Sequence, residues 1–430
     1  MKICVQGLWH LGSVTAACIA SLGNKVIGLD FDKNIIQELN KGNAPILEPG
    51  LNELLRTGLN NNNLRFTDQI IDAVSHTDIL WITYDTPVDE EDVANVDYVI
   101  SQIEMTLPHL PRETTVLVSS QMPVGSIRRL EAIASMNYPE KQLGFACMPE
   151  NLRLGKSIDI FLNPDRIVVG VRNDRDRMIL NKLLLLITSR IEWMCVESAE
   201  MTKHAINAFL AISVTFANEL ASICESVGAD AKEVERGLKS EIRIGPKAYL
   251  SPGAAFAGGT LARDISYLTK ISKDSELKSL LLNAVKLSND EHKNWTKRKI
   301  KLCCSTLADC NIAIWGLTYK PGTNTLRRSM AVELCEWLMT QGASINVHDP
   351  VVKDLPKSWS GKVNVFDNPL EALKGAKILV LSTEWPIYKE INPESIARFT
   401  DNLIIIDANR FLSQIAKDPR FRYFAVGIPA

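Results

Sequence analysis

The chain opens with a change of hydrophobic period. Lys2 to Val5 is a short apolar run of strand type, Gly7 to Gly12 is a turn, and Ser13 to Leu22 is small and apolar at helical spacing. Gly23-Asn24 ends that helix, and Lys25 to Leu29 is a second apolar run that stops at Asp30. Strand, helix and strand in that order predict a βαβ unit, and therefore a parallel, doubly wound sheet. More runs of the same kind follow. Ile79 to Thr83 precedes Thr86-Pro87, Thr115 to Ser119 precedes Ser120-Gln121, Gly144 to Cys147 precedes Met148-Pro149-Glu150, and Ile167 to Val171 is another.

The pattern changes near residue 196. Ser198 to Val227 keeps helical periodicity for roughly 30 residues, or about 45 Å at helical rise, and Gly228 supplies a C-cap. A helix of that length crosses between domains or packs on a partner. Gly245 to Gly259 is a loop rich in Gly, Pro and Ala, with Pro246, Pro252, Gly253 and the pair Gly258-Gly259. Such a loop inside a compact chain is more often functional than incidental. Strand-like runs then return at Ile312 to Trp315, Ser344 to His348, Ile378 to Leu381 and Leu403 to Ile406, with a helix near Ala331 to Met339. The expected fold class is α/β: two Rossmann-like doubly wound domains joined by a long central helix. The expected divisions are an N-terminal domain over 1–195, a central helical region over 196–298 and a C-terminal domain over 299–430.

Composition narrows the class. A chain of 430 residues is too long for one ordinary domain. Lys plus Arg is 48 and Asp plus Glu is 50, so the net charge is −2 and the basic excess of a nucleic-acid binder is missing. No apolar run approaches the roughly 18 residues of a membrane span, and Met1 to Val5 enters a strand without the h-region of a signal peptide. The 9 cysteines are scattered, and Cys303, Cys304 and Cys310 lack zinc-ligand spacing. Reduced thiols in a cytoplasmic enzyme are expected, with no metal, no nucleic acid and no membrane as partners.

The candidate chemistry starts at Gly7-Leu8-Trp9-His10-Leu11-Gly12. It sits between a strand and a helix, where a helix N-terminus can hold a cofactor pyrophosphate. A tight turn without a ligand would read the same. Asp30, 18 residues after Gly12, tips the reading: a carboxylate there bonds a ribose 2′-hydroxyl and repels a 2′-phosphate, favouring NAD over NADP. Trp9 occupies the position of the usual middle glycine. Glu150 lies at an expected carboxyl edge of the sheet, where such domains bind ligands, but a surface glutamate would fit as well. Lys203 and Asn207, four apart on the long helix, share a face that could hold a substrate hydroxyl or simply meet solvent. Arg263-Asp264 reads as an exposed ion pair after a turn. His204 reads as packing or surface, Cys303-Cys304 as helix interior, and Lys293, Lys297, Arg298, Lys299 and Lys301 as a solvated helix face.

Taken together, these segments resemble the UDP-glucose/GDP-mannose 6-dehydrogenase family over essentially the whole chain. The resemblance rests on Gly7 to Gly12 with Asp30, Glu48-Pro49-Gly50-Leu51, Thr86-Pro87, Pro123-Val124-Gly125, Pro149-Glu150-Asn151-Leu152-Arg153 and Pro164-Asp165-Arg166-Ile167. It continues through Glu200-Met201-Thr202-Lys203, Asn207-Ala208-Phe209-Leu210, Gly316 to Pro321 with Arg327 and Ser329, Glu384-Trp385-Pro386 and Asp407-Ala408-Asn409-Arg410. It implies an N-terminal NAD domain, a dimer built on the long helix, and a C-terminal domain that holds the nucleotide of a sugar nucleotide. It places Gly7 to Gly12, Asp30, Thr86, Gln121, Glu150, Arg263 and Arg327 at NAD. Leu152, Lys203, Asn207, Arg243, Tyr249, Gly259 and Lys320 fall at substrate positions. Lys203, Asn207, Asp264 and Glu150 fall at the catalytic centre, where an ordered water and the lysine manage the proton and the developing oxyanion.

The family pattern also implies a cysteine just after the Gly-Gly pair, which carries the aldehyde to a thioester for a second oxidation. Here Gly258-Gly259 is followed by Thr260-Leu261-Ala262-Arg263-Asp264, with no thiol and one residue fewer. A threonine hydroxyl is hardly ionised and needs an adjacent base to replace a thiol. Cys147 is three residues from Glu150 but reads as strand packing. Trp9, Gln121 in place of the family's threonine, and Ala255 and Ala257 in place of glycines are further departures. They cluster around cofactor and reacting carbon while Lys203, Asn207 and Asp264 stay, which points to altered chemistry rather than decay. The leading expectation is an NAD-dependent dehydrogenase of a UDP- or GDP-hexose, UDP favoured, acting without cysteine and through a single hydride transfer. An epimerase that retains NAD and a non-catalytic sugar-nucleotide binder are the alternatives. Dehydrogenases of 2-hydroxyacid or 6-phosphogluconate type leave the second α/β domain unexplained.

Overall fold

The apolar runs of the first half pair into a single sheet of eight strands: β1 (Lys2–Gln6), β2 (Lys25–Leu29), β3 (Leu64–Thr67), β4 (Ile79–Ile82), β5 (Thr115–Val118), β6 (Gly144–Cys147), β7 (Ile167–Val171) and β8 (Ile191–Met194). Their spatial order is β3-β2-β1-β4-β5-β6-β7-β8, and every pair is parallel except β6 with β7. The computed structural model describes residues 1–429 except 88, 90–93, 151, 258, 305, 309 and 401. Asn151 and Gly258, named above, therefore lie outside the described residues.

Side chains on a strand alternate between faces, and the cores follow. Ile3 and Val5 pack with Val14, Leu55 and Trp81 on one side of the sheet, while Cys4 packs with Leu29, Leu80 and Val116 on the other. Both faces are covered, which is why the central strands read as unbroken apolar runs. The order reverses between β1 and β4, the kind of switch point beside whose carboxyl ends doubly wound sheets bind ligands.

The second half repeats the plan with β9 (Asn311–Trp315), β10 (Ser344–His348), β11 (Val363–Val365), β12 (Ile378–Leu381), β13 (Ile404–Asp407) and β14 (Arg422–Phe424). These strands are all parallel, in the order β11-β10-β9-β12-β13-β14. Ile312 and Ile314 face one core, Ala313 and Trp315 the other. The chain divides into two compact units, Met1–Ile206 and Asn207–Ala430, and the division falls inside the long helix Val196–Val227.

Two expectations are corrected. By length and apolarity alone the helix Val196–Val227 could cross a bilayer, whereas no such run was expected. Its polar groups bind protein along its length, however. The Glu200 carboxylate accepts from the Gly125 and Ile127 N–H groups, and Asn218 Oδ1 accepts from the Gly253 N–H. That is the behaviour of a helix packed in protein. The cysteines are also not all free thiols: Cys304 and Cys310 form a disulfide, while Cys4, Cys18, Cys147, Cys195, Cys224, Cys303 and Cys335 are free.

Candidate active site

The turn after β1 is built by close approach of its own backbone. Gly7 has φ 93°, a left-handed conformation that favours glycine. The Leu8 N–H donates to Asp30 Oδ2 at 2.6 Å, Ser13 Oγ donates to Leu8 O at 2.8 Å, and Thr83 Oγ1 donates to Gly7 O at 2.8 Å. A Cβ on Gly12 would overlap Gly7 O, so that position takes no side chain. Trp9 fits the middle position because its indole points outward, 45% exposed. Leu11 is buried beneath the turn. Helix His10–Ser21 begins with no side-chain cap and no acidic residue in its first turn, so its first N–H groups are open to an anion. Asp30 Oδ1 also accepts from the Asp32 N–H at 3.0 Å. A carboxylate has about four lone pairs, so half-buried Asp30 keeps capacity for ribose hydroxyls. These residues fit a dinucleotide.

The second unit repeats the device with a different outcome. Gly316 has φ 87°, the Leu317 N–H donates to Asp349 Oδ2 at 2.7 Å, and Ser329 Oγ donates to Leu317 O at 2.6 Å. Asp349, however, is buried and also accepts from the N–H groups of Thr318, Val351 and Val352 and from Trp385 Nε1. Its oxygens are spent inside the protein. The same device thus leaves a half-buried carboxylate with spare acceptor capacity at Asp30 and makes an internal staple of Asp349.

Further along the carboxyl edge of the first sheet, Thr86 is buried and its hydroxyl donates to Gln121 O at 2.7 Å. Gln121, Glu150 and Lys203 line one small pocket, with Ser119, Cys147 and Glu200 in its wall. Lys203 Nζ donates to the Glu150 carbonyl at 2.6 Å, and the Glu150 carboxylate accepts from the N–H of half-buried Leu152. Both side chains are half-buried and bonded to protein. Burial pushes the Cys147 thiol far above its ordinary range, so it stays protonated.

In the second unit, the Asn207 side-chain amide donates to the Asp264 carboxylate. Both are buried, Asp264 completely, which corrects the expectation of an exposed ion pair. Gly259, at φ 111°, caps the helix Thr260–Asp274, and Asp264 lies on that helix beside buried Ile265. Thr260 is exposed at the first position of that helix, and Arg263 is half-buried. Arg243 donates to Glu241 and is exposed, as are Arg327 and Tyr249, while Lys320 is half-buried.

Three functional-looking residues escaped the sequence reading. Glu48 is buried and accepts from the N–H groups of Gly155 and Ser157. Burial works to raise its carboxyl, but those bonds and the ones from His10 and Ser157 Oγ outweigh it and hold it below the ordinary range. Ser157 and Glu200 are the other two. Glu200 differs from Glu48: burial outweighs its two N–H bonds and pushes it up. No sequence signal separates such carboxylates from surface ones except the segments Glu48-Pro49-Gly50 and Glu200-Met201-Thr202-Lys203 that contain them.

Comparison with known proteins decides the family. Residues 1–186 match the NAD binding domain of the UDP-glucose/GDP-mannose dehydrogenase family, 197–291 its central domain and 313–414 its UDP binding domain. The chain belongs to this family. UDP-glucose 6-dehydrogenase of Rickettsia prowazekii is 32% identical, over 99% of this chain and 99% of the relative. That of Pseudomonas aeruginosa is 30% identical, over 100% and 98%. Among solved structures, a UDP-glucose dehydrogenase from Pyrobaculum islandicum superposes with a TM-score of 0.88 at 26% identity, covering 100% of this chain and 98% of that one. As a member of the UDP-glucose/GDP-mannose dehydrogenase family, the protein is an NAD-dependent oxidoreductase acting on the CH–OH group of a nucleotide sugar.

Proposed function

We propose that the protein oxidises the sugar of a UDP-hexose by one hydride transfer, without a cysteine, and releases a carbonyl product. The observation that carries this is the wall of the Glu150–Lys203 pocket. Among the described residues, its only thiol is Cys147, and that thiol is buried and held protonated. The run after Gly259, which resembles the family's nucleophile segment, starts with exposed Thr260 and carries no thiol, and a threonine hydroxyl is a poor substitute. A first oxidation needs only a held hydroxyl, a proton acceptor and NAD.

The turn Gly7 to Gly12 would take the pyrophosphate of NAD at the N-terminus of helix His10–Ser21, and Asp30 its adenosine ribose. Thr86, Gln121 and Glu150 are proposed at the nicotinamide end, with Arg263 and Arg327 as further cofactor contacts. NAD, when bound, accepts the hydride. Lys203 is proposed to hold the substrate hydroxyl and stabilise the alkoxide that forms as its proton leaves through a water held by Asn207 and Asp264. Leu152, Arg243, Tyr249, Gly259 and Lys320 are proposed to hold the sugar nucleotide. The divisions 1–195, 196–298 and 299–430 are the corresponding NAD, central and UDP regions.

A homodimer and a cytoplasmic location are part of this proposal. Phe209, Phe216 and Ile223 recur every seven residues on the long helix and are exposed, an apolar stripe suited to a second copy. Seven free cysteines suit a reducing compartment. The mechanism is tested by thiol removal: Cys147→Ala protein treated with iodoacetamide should keep kcat within about threefold, a change of under 1 kcal/mol. Loss of turnover on alkylation of that variant would return the chemistry to a cysteine.

A further inference from the structure

The dinucleotide turn is wired to the segment that follows Glu150. His10, the first residue of helix His10–Ser21, lies with Nε2 3.0 Å from Glu48 Oε2 and 3.0 Å from Ser157 Oγ. The Glu48 carboxylate is almost fully buried and gathers four groups: His10 Nε2, the Gly155 N–H at 2.8 Å, the Ser157 N–H at 3.0 Å and Ser157 Oγ at 3.0 Å. Ser157 Oγ is also 2.9 Å from Arg153 O. A serine has one hydroxyl proton, and here it faces two acceptors, Glu48 Oε2 and Arg153 O. If it goes to Arg153 O, His10 Nε2–H satisfies the carboxylate. If it goes to Glu48, His10 Nε2–H can turn to the serine oxygen. The network therefore has two arrangements, and the choice between them changes what holds the 153–157 backbone.

We infer that His10, Glu48 and Ser157 are positioning residues that couple occupancy of the dinucleotide turn to the order of segment 152–157. The inference rests on the assignment of that turn to NAD. An anion at the N-terminus of helix His10–Ser21 acts on the residue that carries the imidazole. The imidazole reaches the Arg153 carbonyl through one serine and the Gly155 and Ser157 amides through one carboxylate. The segment so fixed begins at Leu152, whose N–H is held by Glu150. Cofactor binding thereby prepares the sugar-nucleotide side of the same unit, a coupling between two sites through a two-state element.

Hydrogen exchange of the full chain with and without NADH tests this without any sugar nucleotide. In the unaltered protein, NADH should slow exchange over residues 7–14 and also over 152–157, the latter by about fivefold or more, the lower end of ordinary coupling. Ser157→Ala should keep the protection of 7–14 and lose the NADH-dependent protection of 152–157. His10→Gln, which keeps a side-chain N–H, should retain more of it than His10→Phe. Protection of 7–14 without 152–157 in the unaltered protein overturns the inference and leaves the cofactor assignment standing. Undiminished protection of 152–157 in Ser157→Ala overturns it as well. No protection at either segment removes both.

Discussion

Asp264 and Asn207 show how much a single buried pair decides. Their bond lies out of solvent, so removing Asp264 takes a buried acceptor from the Asn207 amide. Asp264→Ala should lower stability by roughly 1–3 kcal/mol, read as a fall in Tm, beyond any loss of turnover. Lys203→Met should cut kcat by about 10²–10⁴ while NADH fluorescence titration gives an affinity within a few-fold. Asp30 should set cofactor choice. Asp30→Asn keeps an acceptor for the Leu8 N–H but removes the charge that repels a 2′-phosphate. The preference for NAD over NADP in kcat/KM should shrink by about tenfold, equivalent to 1.4 kcal/mol; an unchanged ratio would assign discrimination to other groups. At this scale the sequence was partly legible. Gly7, Gly12 and Asp30 stand out by their spacing around a strand and a helix, and Lys203 and Asn207 only through the family resemblance, whereas Glu48, Ser157 and Glu200 bond groups far along the chain, which no local pattern encodes.

Among the elements, the strands found from apolar runs are the central ones: β1, β2, β4, β5, β6 and β7 in the first sheet, β9, β10, β12 and β13 in the second. The four that left no signal, β3, β8, β11 and β14, are the four edges. An edge strand has a neighbour on one side only and is less enclosed than a central one: LRFT, VNV and RYF mix exposed with buried positions, and IEWM has none that is buried. The two βαβ turns make a contrast that can be measured. Asp349→Asn should destabilise the protein by roughly 1–3 kcal/mol through its lost charge-assisted bonds, with NADH affinity unchanged, because its oxygens serve only the second unit. The loop after Gly245 is tied down through Glu235, whose carboxylate accepts from Lys232, Lys239 and Ser251. Burial opposes its charge, but those bonds prevail and hold it at about 2 against an ordinary 4.5. A depressed carboxyl stabilises the fold above pH 4.5, and that contribution disappears as pH falls toward 2. Glu235→Gln should flatten that limb of the stability curve in acid titration.

For the whole molecule, the family scaffold is kept, and the proposal confines the difference to the groups around the reacting carbon. Both sheets, the long helix and the Lys203 and Asn207–Asp264 contacts are in place, so the proposed loss of the thiol would be a local change on an intact frame. The long helix bears on assembly too. Replacing Phe209, Phe216 and Ile223 together by serine should convert a dimer to a monomer in light scattering, since the apolar stripe at seven-residue spacing is what a second copy would cover. A dimer unchanged by the triple substitution would move the interface elsewhere.

The central claim is that the missing cysteine limits the reaction to a single oxidation. The direct measurement is the number of NADH formed per UDP-hexose consumed, with the product weighed by mass spectrometry. A ratio of one with a product two mass units lighter than the substrate is the predicted result. A ratio of two with an acid product would contradict it and show that this active site completes both oxidations without the thiol.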